Sequence, residues 1–82
     1  MNDRHVVAAV LAWLRRTWPA LGWMLRPDGP ERFRCSFQAD HFAGSCLFGR
    51  RELRDCLGPR GGLTDKGKCF VSESARHSGA PI

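Results

Sequence analysis

The chain has 82 residues, 43% of them hydrophobic and 26% charged, with thirteen Lys and Arg against eight Asp and Glu for a net charge of +5. A chain this short holds one small core and no deep catalytic cleft, and its composition is that of a folded domain rather than a disordered segment. The basic balance favours encounters with polyanions: nucleic acid, an anionic membrane or an acidic protein face. Eleven of the thirteen cations are Arg, and a GC-rich coding sequence produces the same bias, so charge alone does not establish a partner.

Asp3 to Trp18 is the first predicted element. Wound at about 100° per residue, Val6, Val7, Val10, Leu11, Trp13, Leu14 and Trp18 share one arc, while Arg4, His5, Ala8, Ala9, Ala12, Arg15 and Arg16 take the other. Asn2 or Asp3 is placed to cap the start of this amphipathic helix, and Pro19, without an amide hydrogen, ends it. The apolar run Val6 to Leu14 does not read as a signal peptide: Asp3 offsets Arg4, Arg15 and Arg16 follow directly, and no small-residue cleavage site is evident. Nine apolar residues also cannot span a bilayer, which takes about 20. The expected location is cytoplasmic, with the cysteines reduced.

Beyond Pro19 the pattern becomes extended. Leu21 to Leu25 reads as a strand, Arg26-Pro27-Asp28-Gly29-Pro30 as a turn, and Arg32 to Gln38 as a second strand with Phe33, Cys35 and Phe37 inward and Arg32, Arg34, Ser36 and Gln38 outward. A third strand runs from Phe42 to Phe48. With Gln38-Ala39-Asp40-His41 as a loop, Phe37 falls opposite Phe42, Cys35 opposite Gly44 and Phe33 opposite Cys46, which gathers the apolar side chains on one face. Val10, Leu14, Phe33, Phe37, Cys46 and Phe48 are the predicted heart of the core.

Arg50 to Leu57 reads as a short helix with Leu53, Cys56 and Leu57 inward, closed by Gly58-Pro59. Gly58 to Gly62 is a loop, Asp65 to Lys68 a turn, and Cys69-Phe70-Val71 a last strand; from Ser72 on the chain is small and polar. The expected fold class is therefore α+β in the order α-β-β-β-α-β. Three or four antiparallel strands pack against the first helix in a domain over residues 1–72, with a flexible tail over 73–82.

Cys35, Cys46, Cys56 and Cys69 with His41 could furnish four zinc ligands. Nine to twelve residues separate successive cysteines, however, where zinc sites draw pairs from tight knuckles, so the expectation is reduced, metal-free cysteines packed as small hydrophobes, with disulfides the alternative. Gly62 to Cys69 approaches a phosphate-binding loop, but Cys69 stands where Ser or Thr would bind magnesium, and the motif needs a strand before it and a long helix after it. Asp40-His41 lacks an accompanying nucleophile. Neither catalysis nor a cofactor is expected.

What remains is the distribution of cations. Arg50, Arg51 and Arg54 share one flank of the second helix, Arg32 and Arg34 project from the wet face of a strand, and Arg60, Lys66 and Lys68 lie in neighbouring loops. Together they could form a stripe that grips phosphates with paired guanidinium donors. Most aromatics fall on the core face, with Trp23 the one candidate for base stacking. The expected function is that of a small, non-enzymatic binding or regulatory protein whose partner is nucleic acid. The alternative is an inhibitor, such as mobile elements encode, that occupies an acidic or nucleic-acid-binding surface of a larger protein. Membrane association through the first helix ranks below both, because the sheet needs that helix's apolar face.

Overall fold

Val6, Val10 and Leu14 recur every four residues, and all three are fully shielded from solvent in the computed structural model, which describes residues 3–81. They form the inner stripe of helix α1 (Asp3–Thr17). The last helical bond runs from the Trp18 amide to the Leu14 carbonyl at 2.8 Å, after which Pro19 has no donor to continue the series. Asn2, the other candidate cap, lies outside the described residues.

Three antiparallel strands follow, β1 (Gly22–Pro27), β2 (Arg32–Gln38) and β3 (Ala43–Gly49), paired in the order β1-β2-β3. Strict alternation sends Trp23, Leu25, Phe33, Cys35, Phe37, Cys46 and Phe48 to one face, where α1 covers them. A short helix, α2 (Arg50–Asp55), starts where β3 ends, and α3 (Asp65–His77) packs on the same face of the sheet as α1. The fold is α+β, with one continuous core that runs from Val6 to Ala80.

Two predicted features are corrected. The β2–β3 register is displaced by two residues: Phe37 pairs with Gly44, Cys35 with Cys46 and Phe33 with Phe48. The turn closes over Asp40-His41, with the Ala39 amide bonded to the Phe42 carbonyl at 2.8 Å, and the ladder proper starts at the Gln38–Ala43 pair. A shift of two preserves facing, which is why the inward set survives. Gly44 also suits the place opposite Phe37, since a β-carbon there would lie 2.5 Å from both the Phe37 ring and the Ser78 carbonyl. Phe42, left beyond the ladder, is 41% exposed and meets Phe37 edge-on with ring centroids 6.3 Å apart.

The second correction concerns the C-terminal region. The expected turn at Asp65 to Lys68, strand at Cys69 to Val71 and tail from Ser72 are replaced by one helix through His77, so the element order ends in α-α, not α-β. Thr64 caps α3 by accepting the Gly67 amide on its hydroxyl at 3.0 Å. The buried positions Gly67, Val71 and Ala75 recur at helical spacing but are small, so they carry little hydrophobic signal. Past the helix Ala80 is only 5% exposed. Trp13 ties α1 to α3 through its indole N–H on Ser72 Oγ at 2.9 Å, and Trp18 donates its own to the Pro81 carbonyl.

Gly67 sits where α3 crosses the end of α2. A β-carbon there would fall 2.7 Å from both the β-carbon and the carbonyl oxygen of Cys56. Gly67→Ala should therefore destabilise by about 1–3 kcal/mol through overpacking, although the same change in an open helix would stabilise by about 1 kcal/mol. A urea midpoint below wild type is expected; a higher one would mean the two segments do not pack this closely.

Candidate functional site

With α1 and α3 both on the inward face, no element among the described residues covers the outward face of the sheet. Alternation places Met24 and Arg26 of β1, Arg32, Arg34 and Ser36 of β2, and Ser45 and Leu47 of β3 on it. Arg26 lies directly across from Arg34, and Arg34 from Leu47; Met24, Ser36 and Ser45 form the adjoining row. The three strands contain no carboxylate. Asp28, in the β1–β2 turn, pairs with Arg34 at 3.1 Å, but both side chains are about half exposed, so the pair is worth roughly 0–1 kcal/mol and is readily exchanged for another anion. Neither Arg26 nor Arg32 has an ion-pair partner among the described residues.

Like charges facing each other across a ladder are mildly destabilising, so the Arg26–Arg34 pair does nothing for the fold and concentrates positive potential on the open face. Met24 and Leu47, each 43% exposed, add apolar area beside these guanidinium groups. The sequence pattern places Arg26 at the start of a turn, whereas the structure makes it part of β1. The signal that marks it is the alternation of Trp23 and Leu25 inward with Met24 outward, which continues to Arg26 one residue beyond Leu25.

The predicted cations do not gather into one stripe. Arg32 and Arg34 are on the open face, with Arg26 beside them. Arg50 is drawn inward, its side chain 19% exposed: it pairs with Asp3, its guanidinium reaches the Gly29 carbonyl at 3.4 Å, and it stacks 4.5 Å above the Phe33 ring. Arg54 reaches the other Asp3 oxygen at 3.4 Å, so both residues tie α2 to the start of α1, while Arg51 stays exposed. Arg60 is exposed in the Gly58–Gly62 loop and Lys66 on the first turn of α3. Lys68 lies 5.0 Å above the Trp13 ring, at a groove of about 440 Å³ between α1 and that loop, which His5 and Arg16 also line. These groups separate because β2 sends Arg32 and Arg34 away from the helices that carry the others.

The aromatic side chains turn inward. Trp23, the candidate for stacking, is 5% exposed, packed between Trp18 and Phe37 with centroids 5.7 and 5.0 Å away. Asp40 and His41 occupy the exposed tip of the β2–β3 turn. The run Gly62 to Cys69 enters α3 with its Gly67 amide already bound to Thr64. Cys56 is buried, its thiol donating to the Glu52 carbonyl at 3.2 Å, and burial, with the nearby Asp55 and Glu52 carboxylates, pushes that thiol up. Among the described residues no three His, Cys, Asp or Glu side chains come together as a metal-binding group, and no helix is long and apolar enough to cross a membrane.

Comparison with protein-family models, curated proteins and solved structures finds no match to this chain.

Proposed function

We propose that this chain is a non-enzymatic binding protein that docks on duplex nucleic acid through the open face of its sheet, with Arg26, Arg32 and Arg34 on the phosphates. The observation that carries the reading is three guanidinium groups on an uncovered β-surface whose strands hold no carboxylate. The net charge of +5 supplies attraction at longer range. Guanidinium groups suit the task because each presents planar paired donors to phosphate oxygens. With the large aromatics facing the core, the surface offers no base-stacking platform, so contact with the backbone and weak sequence discrimination follow.

A second reading, an inhibitor seated on an acidic or nucleic-acid-binding protein surface, draws on Met24 and Leu47. Exposed apolar side chains beside arginines are what the centre of a protein interface uses.

The deciding experiment is fluorescence anisotropy of a labelled DNA duplex at low salt, with the wild-type chain and with Arg26→Ala/Arg32→Ala/Arg34→Ala. All three side chains are exposed, so folding should shift by no more than about 0.5 kcal/mol per site. Wild-type binding that the triple variant weakens strongly is expected. A wild-type chain that leaves the duplex free at low salt would hand the surface to the protein reading.

A further inference from the structure

The corrected strand register has a chemical consequence on the inward face. Cys35 and Cys46 are direct partners in the β2–β3 ladder. The Ala39 amide bonds to the Phe42 carbonyl and the Arg50 amide to the Glu31 carbonyl, and counting by twos from either places Cys35 and Cys46 at a hydrogen-bonded pair of the ladder. The α-carbons of such a pair are about 5.5 Å apart, inside the range of about 4.4–6.8 Å that a disulfide spans, while the β-carbons, up to about 5.5 Å apart, must draw in by about 1 Å for the bond to close. Both side chains point to the same face, and both cysteines are free.

The geometry points to Cys35 and Cys46 as a modification site, a dithiol that a peroxide converts reversibly into a cross-strand disulfide. Division of labour follows from their surroundings. Cys35 is fully buried, and the neighbouring Cys46 thiol, together with burial, pushes its thiol up. Cys46 is half-buried, within reach of a small oxidant, and the neighbouring Cys35 thiol, opposed by burial and aided by Ser78, draws its own thiol down. Solvent access thus makes Cys46 the nucleophile and the enclosed Cys35 the resolving thiol.

The Cys46 thiolate attacks one oxygen of hydrogen peroxide. The O–O bond breaks, Cys46 becomes a sulfenic acid, and the departing hydroxide leaves as water with the proton the thiol gave up. The Cys35 sulfur then attacks the sulfenic sulfur; the S–O bond breaks, the S–S bond forms, and a second water carries away the hydroxyl with the Cys35 proton. Two thiols lose two electrons and two protons in all, and one peroxide is reduced to two waters. A dithiol such as dithiothreitol returns the pair to its starting state by exchange. The bond would pin β2 to β3 directly beneath Arg34 and Leu47.

The sequence makes the test direct, because trypsin cuts after Arg34 and Arg50 and releases Cys35 and Cys46 together in one peptide, residues 35–50, apart from Cys56 and Cys69. Folded chain carrying Cys69→Ser, which removes the exposed thiol, is treated with hydrogen peroxide, unfolded, alkylated with iodoacetamide and digested. The expected product is peptide 35–50 lighter by two hydrogens and unalkylated, formed well ahead of the same chain in urea and restored to the alkylatable dithiol by dithiothreitol. Wild-type chain, run in parallel, should give the same peptide. Peptide 35–50 alkylated at both cysteines after peroxide, a sulfinic acid at Cys46 beside an unreacted Cys35, or a cross-link to the Cys56 peptide would overturn the assignment.

Discussion

Phe33→Ala should remove most or all of the cooperative folding of this chain. Phe33 is 1% exposed, sits in the middle strand and faces Phe48 across the ladder, so both neighbouring strands and α1 lose contact when the ring is deleted. Phe-to-Ala changes in cores cost about 3–5 kcal/mol, because the transfer free energy of the ring is lost and the hole it leaves closes only in part. Native domains as a class are stable by only about 5–15 kcal/mol, and a chain of this length belongs at the low end. The ring also carries Arg50 on its face, so the contact between α2 and the sheet weakens at the same time. Urea titration followed by tryptophan fluorescence should show a transition at much lower denaturant or none at all. A midpoint close to wild type would mean that Phe33 is not at the centre of the fold.

Arg50→Glu should destabilise far more than a surface charge reversal does. Opposite charges hold Arg50 against Asp3, and the negative face of the Phe33 ring lies beneath its guanidinium. Reversal sets a carboxylate against both. Exposed ion pairs are worth roughly 0–1 kcal/mol, and loss of one partner from a buried pair costs about 3–5 kcal/mol; with side-chain exposures of 19% and 35% the Arg50–Asp3 pair lies between, so about 2–3 kcal/mol is expected. Arg51→Glu, one residue along the same helix but exposed, should change stability by about 0.5 kcal/mol or less. Adding Asp3→Arg to Arg50→Glu should recover part of the loss in thermal melting. Equal melting temperatures for the Arg50 and Arg51 variants would show that Arg50 is merely solvated.

The contrast between these two arginines shows what sequence patterns reveal and what they do not. Helix α1 and the facing of all three strands were legible because apolar side chains recur there with period 3.6 or 2, and β2 was found with its observed bounds. A shift of two in pairing leaves that signal unchanged, which is why the Cys35–Cys46 pair was out of reach. Helix α3 was missed for another reason: Gly67 and Ala75 pack because they are small, so its buried face is not a hydrophobic one, and its start depends on a single hydroxyl, that of Thr64. The role of Arg50 depends on Asp3, 47 residues away in the chain, and no local pattern encodes that contact. Of the candidate site, Arg32 and Arg34 were visible as the polar half of an alternating strand, whereas Arg26 was hidden by Pro27 and Asp28, which made the end of β1 look like the start of a turn.

The salt dependence of duplex DNA binding tests the proposed role of the open sheet face most directly. Each phosphate neutralised on B-form DNA contributes about −0.9 to the slope of log K against log salt concentration, so Arg26, Arg32 and Arg34 together should contribute about −2.7. The wild-type chain should bind a duplex at low salt with a slope at least this steep. Arg26→Ala/Arg32→Ala/Arg34→Ala, folded as shown by an unchanged melting curve, should give a slope shallower by about that amount. Duplex binding with the same slope in both chains, or no binding by the wild-type chain at low salt, would contradict the account.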